Sequence, residues 1–189
     1  MIRAGEASRP WEGLLDLSTE YLGLQLSNPL VAAAGPLTSK LEGLLALEEA
    51  GAGAVVLPSL FEEQVNESGL LALGAQLPSQ PESVAALSGH SAYNAGPWGY
   101  MDLLQEAKRR LSIPVLASAN AAGGGGWIQH LRLIEECGAD ALELNVYRSI
   151  TWPGETGLSV ERKLIALVKQ VRETVRIPIA VKLCAQFTS

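Results

Sequence analysis

The chain has 189 residues, 48% of them hydrophobic, and a net charge of −6, enough for one domain with a real core or for part of a larger one. An acidic balance, with a pI near 5.0, argues against a nucleic-acid surface, which needs clustered Lys and Arg. Two distant cysteines, Cys137 and Cys184, exclude a metal knuckle or a disulfide framework and point to a reduced, cytoplasmic setting.

The first twenty residues, MIRAGEASRPWEGLLDLSTE, carry charges throughout and lack the apolar run of a signal peptide. Nor does any stretch reach the ~18 apolar residues of a membrane span. Residues 1–15 are expected to be an extension and residues 16–189 the folded body. NPLVAAAGP (28–36) predicts a first strand over 30–34, followed by a helix over 39–50. Further strands are predicted over 54–58, 114–118, 140–146 and 178–184, and helices over 98–111, 127–137 and 159–175.

Two internal repeats support this order. LEEAGAGAVVL (47–57) matches IEECGADALEL (134–144), each a helix end, a glycine stop and an apolar strand. LSIPVLASAN (111–120) matches VRIPIAVKLC (175–184), each a helix tail, an Ile-Pro hinge and a strand. Proline there ends the helix and opens the strand, where its missing N–H does least harm. Strands alternating with helices are the signature of a parallel sheet.

Side-chain alternation separates the two parallel α/β architectures. Leu142, Leu144 and Val146 share one strand face, and Ala141, Glu143 and Asn145 the other. In the last strand Ala180 and Lys182 oppose Ile179, Val181 and Leu183, and in the third Leu116, Ser118 and Asn120 oppose Val115 and Ala117. One apolar face, and one that turns polar toward the strand end, suits a (β/α)8 barrel, with helices outside and a functional mouth. A doubly wound sheet would bury both faces. A barrel needs eight strands and roughly 250 residues. The chain is therefore expected to form about five βα units, the N-terminal part of such a barrel.

Inward residues at matching depth on neighbouring strands, ~4.8 Å apart, would bring Glu143, Asn145 and Lys182 together, with Ser118 and Asn120 beside them. One reading is a structural ion pair plugging the barrel. The other is a site for a polar heterocycle, served by the directed donors of an amide and an ammonium.

NPLVAAAGPLT, WIQHLRLIEECGADALELNVY and IPIAVKLCAQFTS resemble the flavin-binding barrel of the dihydroorotate dehydrogenase-like family, from about Asp16 to the end. The resemblance implies an FMN enzyme that oxidises dihydroorotate to orotate in pyrimidine biosynthesis. It implies flavin contacts from Ala33, Ala34, Gly35, Asn120, Asn145 and Lys182, with positive charge at Lys182 favouring a reduced anionic flavin. It places Asn145 at the substrate too, and Asn94 in a segment that folds over the active site. The implied partner is a small, dihydroorotate-like molecule rather than a nucleic acid, a membrane or a metal, and a homodimer is left open.

Two positions depart from the family pattern. A lysine is usual near the end of strand two, where this chain has Pro58, and a Cys or Ser base is usual three residues after the motif Asn. Arg148 holds that base position and cannot accept a proton. Ser149 and Thr151 are the nearby hydroxyls, and each needs activation. Two further readings stay open: a degenerate barrel without catalysis, and a Schiff-base barrel of the aldolase type using Lys182. GGGG (123–126) lacks phosphate-loop spacing and is expected to be a plain βα-loop. His90 stands alone in sequence, His130 reads as a surface or packing residue, and Cys184 as a small buried side chain.

Overall fold

Leu22 and Gly23, at φ 57° and 77°, close a two-residue turn whose positive-φ geometry matches the twist of paired strands. Thr19–Tyr21 (β1) and Leu24–Leu26 (β2) accordingly form an antiparallel hairpin. The sequence gives little warning of it, because Leu-Gly is not an Asn-Gly type turn. The computed structural model of the chain describes residues 15–65, 96–120, 127–147 and 154–185.

Five strands, Val31–Ala32 (β3), Ala54–Phe61 (β4), Val115–Asn120 (β5), Ala141–Asn145 (β6) and Ile179–Lys182 (β7), form a second sheet. Its strands lie in chain order, and every neighbouring pair is parallel. The helices Leu41–Glu49 (α1), Gly96–Arg110 (α2), Ile128–Glu136 (α3) and Gly157–Thr174 (α4) connect them. All five expected strands and four expected helices are present. β3 is shorter than 30–34, however, β4 runs three residues past 58, and β7 ends at Lys182 rather than 184.

The two faces of the sheet differ. Val55, Leu57, Val115, Ala117, Leu142 and Leu144 pack with Leu44, Tyr100, Leu104, Leu131, Ile134 and Val171 from the four helices. On the opposite face Leu26 of the hairpin meets Ala54, Val56, Leu116 and Ala141 near the strand beginnings. The hairpin thus caps the N-terminal end of the inner face. Helices on one face only, with strands in unbroken chain order, make a curled half-barrel, an incomplete (β/α)8 barrel. A doubly wound sheet would reverse its strand order and bury both faces.

The internal repeats correspond to a repeated contact. At the end of α1, Gly51 (φ 90°) donates to Glu48 O and Ala52 to Leu47 O; at the end of α3, Gly138 (φ 92°) donates to Glu135 O and Ala139 to Ile134 O. Both are left-handed glycine caps of the Schellman type. The preceding glutamates then clamp the Ile-Pro hinges. Glu48 Oε1 accepts from Ser112 N at 2.7 Å, Ser112 Oγ at 2.6 Å and Ile113 N at 3.3 Å. Glu135 Oε1 accepts from Arg176 N at 2.7 Å and Ile177 N at 2.9 Å. Each clamp joins a helix end to the start of the strand after next. Asp140 adds a third tie, accepting from Lys108 Nζ at 2.6 Å and Val115 N at 2.7 Å.

Candidate functional site

Proline lacks the N–H that a sheet interior needs, and strands tolerate it at bulges. The register of β4 against β5 shifts accordingly across Pro58: Val56 pairs with Leu116, but Ser59 pairs with Ser118. Strict alternation would aim Pro58 inward. The extra residue turns Ser59 inward instead, so Ser59 occupies the position read from the sequence as Pro58's. A side chain from outside the sheet joins the ladder here. Asp140 N bonds Val115 O, so alternate β5 residues point to β6, and Ser118 points its backbone groups to β4. There the buried Tyr100 hydroxyl accepts from Ser118 N at 2.8 Å and donates to Ser118 O at 3.2 Å. Burial pushes the Tyr100 phenol above its ordinary range, with the charge of Glu143 adding to the rise, so it stays a neutral donor.

The shared register sets two polar rows on the inner face. Ser59, Ser118, Glu143 and Ala180 form one, and Phe61, Asn120, Asn145 and Lys182 the next, toward the strand ends. Asn145 is 4% exposed, and its Nδ2 donates to Ser59 Oγ and Ser118 Oγ, both at 2.9 Å. The two serine oxygens are 2.9 Å apart. Ser118 Oγ donates to Glu143 Oε1 at 3.4 Å, and Lys182 Nζ donates to the same oxygen at 3.2 Å. Asn145 Oδ1 is buried and has no hydrogen-bond partner among the described residues.

Glu143, Asn145 and Lys182 therefore converge as the strand alternation predicts, with Ser118 beside them. Half-buried Asn120 stands in register with Asn145. The Lys182 side chain is 44% exposed against 17% for Glu143. Ala34 packs onto the small inner cluster, and a Cβ added at Gly35 would meet only Ala33 O, at 3.8 Å. Ser59 is the residue that sequence reasoning missed, and a proline inside a strand was the available signal. Cys184 corrects the expectation of burial: β7 has ended, and its thiol is exposed. The Nδ1 atom of His130 is buried, in keeping with a packing role. Arg148, Ser149, Thr151, Asn94, His90 and GGGG (123–126) lie outside the described residues. Among those residues no cluster of His, Cys, Asp or Glu could hold a metal ion, and no helix is long and apolar enough to cross a membrane.

No protein-family model matches the chain. The catalytic subunit of dihydroorotate dehydrogenase B (NAD(+)) from Thermoplasma acidophilum is 28% identical over 176 residues, covering 90% of this chain and 55% of that protein. An Aeropyrum pernix protein named for dihydroorotate dehydrogenase A (fumarate) is 28% identical over 170 residues, covering 89% of this chain and 53% of that protein. Among solved structures, a dihydrodipicolinate synthase from Bacillus anthracis superposes with a TM-score of 0.45 at 13% identity, covering 80% of this chain and 44% of that one. That likeness is too loose to carry an argument. The chain spans about half the length of the curated relatives it matches, and over that half it is similar to proteins named as dihydroorotate dehydrogenases.

Proposed function

We propose that this chain carries the flavin-ring site of an FMN-dependent oxidoreductase of the dihydroorotate dehydrogenase type, which takes dihydroorotate to orotate in pyrimidine biosynthesis. The observation that carries the reading is the buried Asn145 amide, satisfied on its nitrogen and, among the described residues, unpartnered on its oxygen. A buried acceptor without a partner costs about 1–3 kcal/mol, and such groups mark places where a missing partner belongs.

The residues present fit a flavin. Ala33, Ala34 and Gly35 carry small side chains or none, which suits the close approach of a ring to backbone. Asn145 and Asn120 stand side by side where the ring's polar edge would lie. Lys182 brings an ammonium to that edge, steadied by Glu143. When bound, flavin supplies the acceptor for the electron pair removed from a CH–CH bond. Asn145 and the segment carrying Asn94 would also serve the substrate. No base is assigned: Arg148 stands where the family places one, with Ser149 and Thr151 as neighbouring hydroxyls. A Schiff-base role for Lys182 is disfavoured, since that chemistry needs a free amine and Lys182 is the ammonium half of an ion pair. Family similarity supports a small-molecule substrate and a cytoplasmic setting.

The test is a titration of FMN into the chain, followed by flavin fluorescence. Asn145→Leu keeps the side-chain volume but removes the amide, and binding is expected to weaken by ~1–3 kcal/mol, roughly 5- to 150-fold. A wild-type chain that does not bind FMN would contradict the reading, as would an unchanged affinity in the variant.

A further inference from the structure

Resting on the flavin reading, we propose that Phe61 is a specificity-determining residue of the ring site: it receives the methyl-bearing end of the flavin and so selects a ring with an apolar end. The bulge at Pro58 delivers it. Strict alternation from Val56 would turn Leu60 inward and Phe61 out toward the helices. One extra residue exchanges them. Leu60 packs in the helix-side core, and half-buried Phe61 stands on the inner face in register with Asn120. Gln64 Oε1 accepts from Phe61 N at 3.1 Å and fixes the backbone at this end of β4.

The row across the strand ends is therefore graded. Phe61 on β4 is followed by Asn120 on β5, Asn145 on β6 and Lys182 on β7, with an aromatic ring at one end and an ammonium at the other. At ~4.8 Å between strands the row runs ~14 Å, long enough for fused rings to lie along it. The flavin ring system has the same gradient, with carbonyls and an N–H at one end and a dimethylbenzene at the other. Laid along the row with its polar end at Lys182, it brings the methyl groups to Phe61. Reversed, it would press them against the ammonium and leave its carbonyls over an aromatic face that donates nothing, a costly arrangement. β3 pairs with β4, so the small residues Ala33, Ala34 and Gly35 lie at the Phe61 end of the row. An aromatic wall beside small side chains suits a flat apolar ring.

The test, on the 189-residue chain, compares the affinity of FMN with that of its analogue lacking both ring methyl groups, which keeps the polar end. Each methyl moved from water into apolar contact is worth roughly fourfold in affinity, so wild type should favour FMN by about fivefold or more. Phe61→Ser removes the apolar contact. FMN should then bind more weakly, and its preference over the analogue should shrink to about twofold or less.

Equal binding of the two flavins by wild type would overturn the assignment. So would a preference that survives Phe61→Ser unchanged, since the methyl groups would then rest on another residue. In both of these cases FMN still binds, and the flavin reading stands. A wild-type chain that binds neither flavin would remove that reading and the Phe61 assignment with it. Phe61→Gln gives the same comparison should Phe61→Ser not fold.

Discussion

Pro58 shows how a single residue moves chemistry from one side of a sheet to the other. Alternation along the strands places Glu143, Asn145 and Lys182 on one face, and the structure joins them through Ser118. Ser59 was not legible in the same way, because a one-residue bulge reverses parity and every inward assignment beyond it. Cys184 was misplaced for a related reason: β7 stops at Lys182, and alternation has no meaning beyond a strand's end. The bulge also admits the Tyr100 hydroxyl to the backbone groups of Ser118. Tyr100→Phe removes two hydrogen bonds from a buried site and should destabilise the fold by ~1–3 kcal/mol. A lower urea midpoint with unchanged slope would register it, and coincident unfolding curves would mean that the β4 ladder satisfies Ser118 unaided.

Helix ends and strand starts are tied by carboxylates in this chain, and the repeated sequence is the trace of that tie. The Gly51 and Gly138 stops were readable because left-handed caps demand glycine. The clamps by Glu48 and Glu135 were not, since no spacing rule connects a helix end to a hinge sixty-four or forty-one residues away. Hydrogen bonds from Ser112, side chain first and then backbone, hold the Glu48 carboxyl below its ordinary value of 4.5. A depressed folded value means the clamp contributes fully above about pH 4.5 and is lost as the pH falls through the folded value. Glu48→Gln should therefore flatten the acid side of a stability-against-pH curve and leave the neutral side nearly level. An acid limb identical to wild type would show that the clamp does not form in solution. Gly138→Ala, forced into a left-handed backbone at φ 92°, should lower stability by ~1 kcal/mol in thermal melts.

At the scale of the molecule, strand order and one-sided helices were legible because each βα unit repeats the same local pattern. The hairpin that caps the inner face was not, because Leu22 adopts its positive φ without the Asn or Gly that usually announces such a turn. The sheet is unevenly protected. β5 and β6 are paired on both sides, whereas β7 pairs only with β6 among the described strands, and its Val181 is 37% exposed. Amide hydrogen exchange should accordingly be slowest in Val115–Asn120 and Ala141–Asn145 and much faster in Ile179–Lys182. Equal protection across all three would mean that another chain covers the β7 edge. The polar rows lie at the opposite end of the inner face from the hairpin, so the open strand ends are where a ring could enter. A crystal structure of the chain grown with FMN tests this most directly. The flavin ring should lie against Ala33–Gly35, with its polar edge within hydrogen-bond distance of the Asn145 amide and the Lys182 ammonium at the same edge. A flavin bound elsewhere, or one turned with its methyl-bearing edge toward Asn145, would contradict the account.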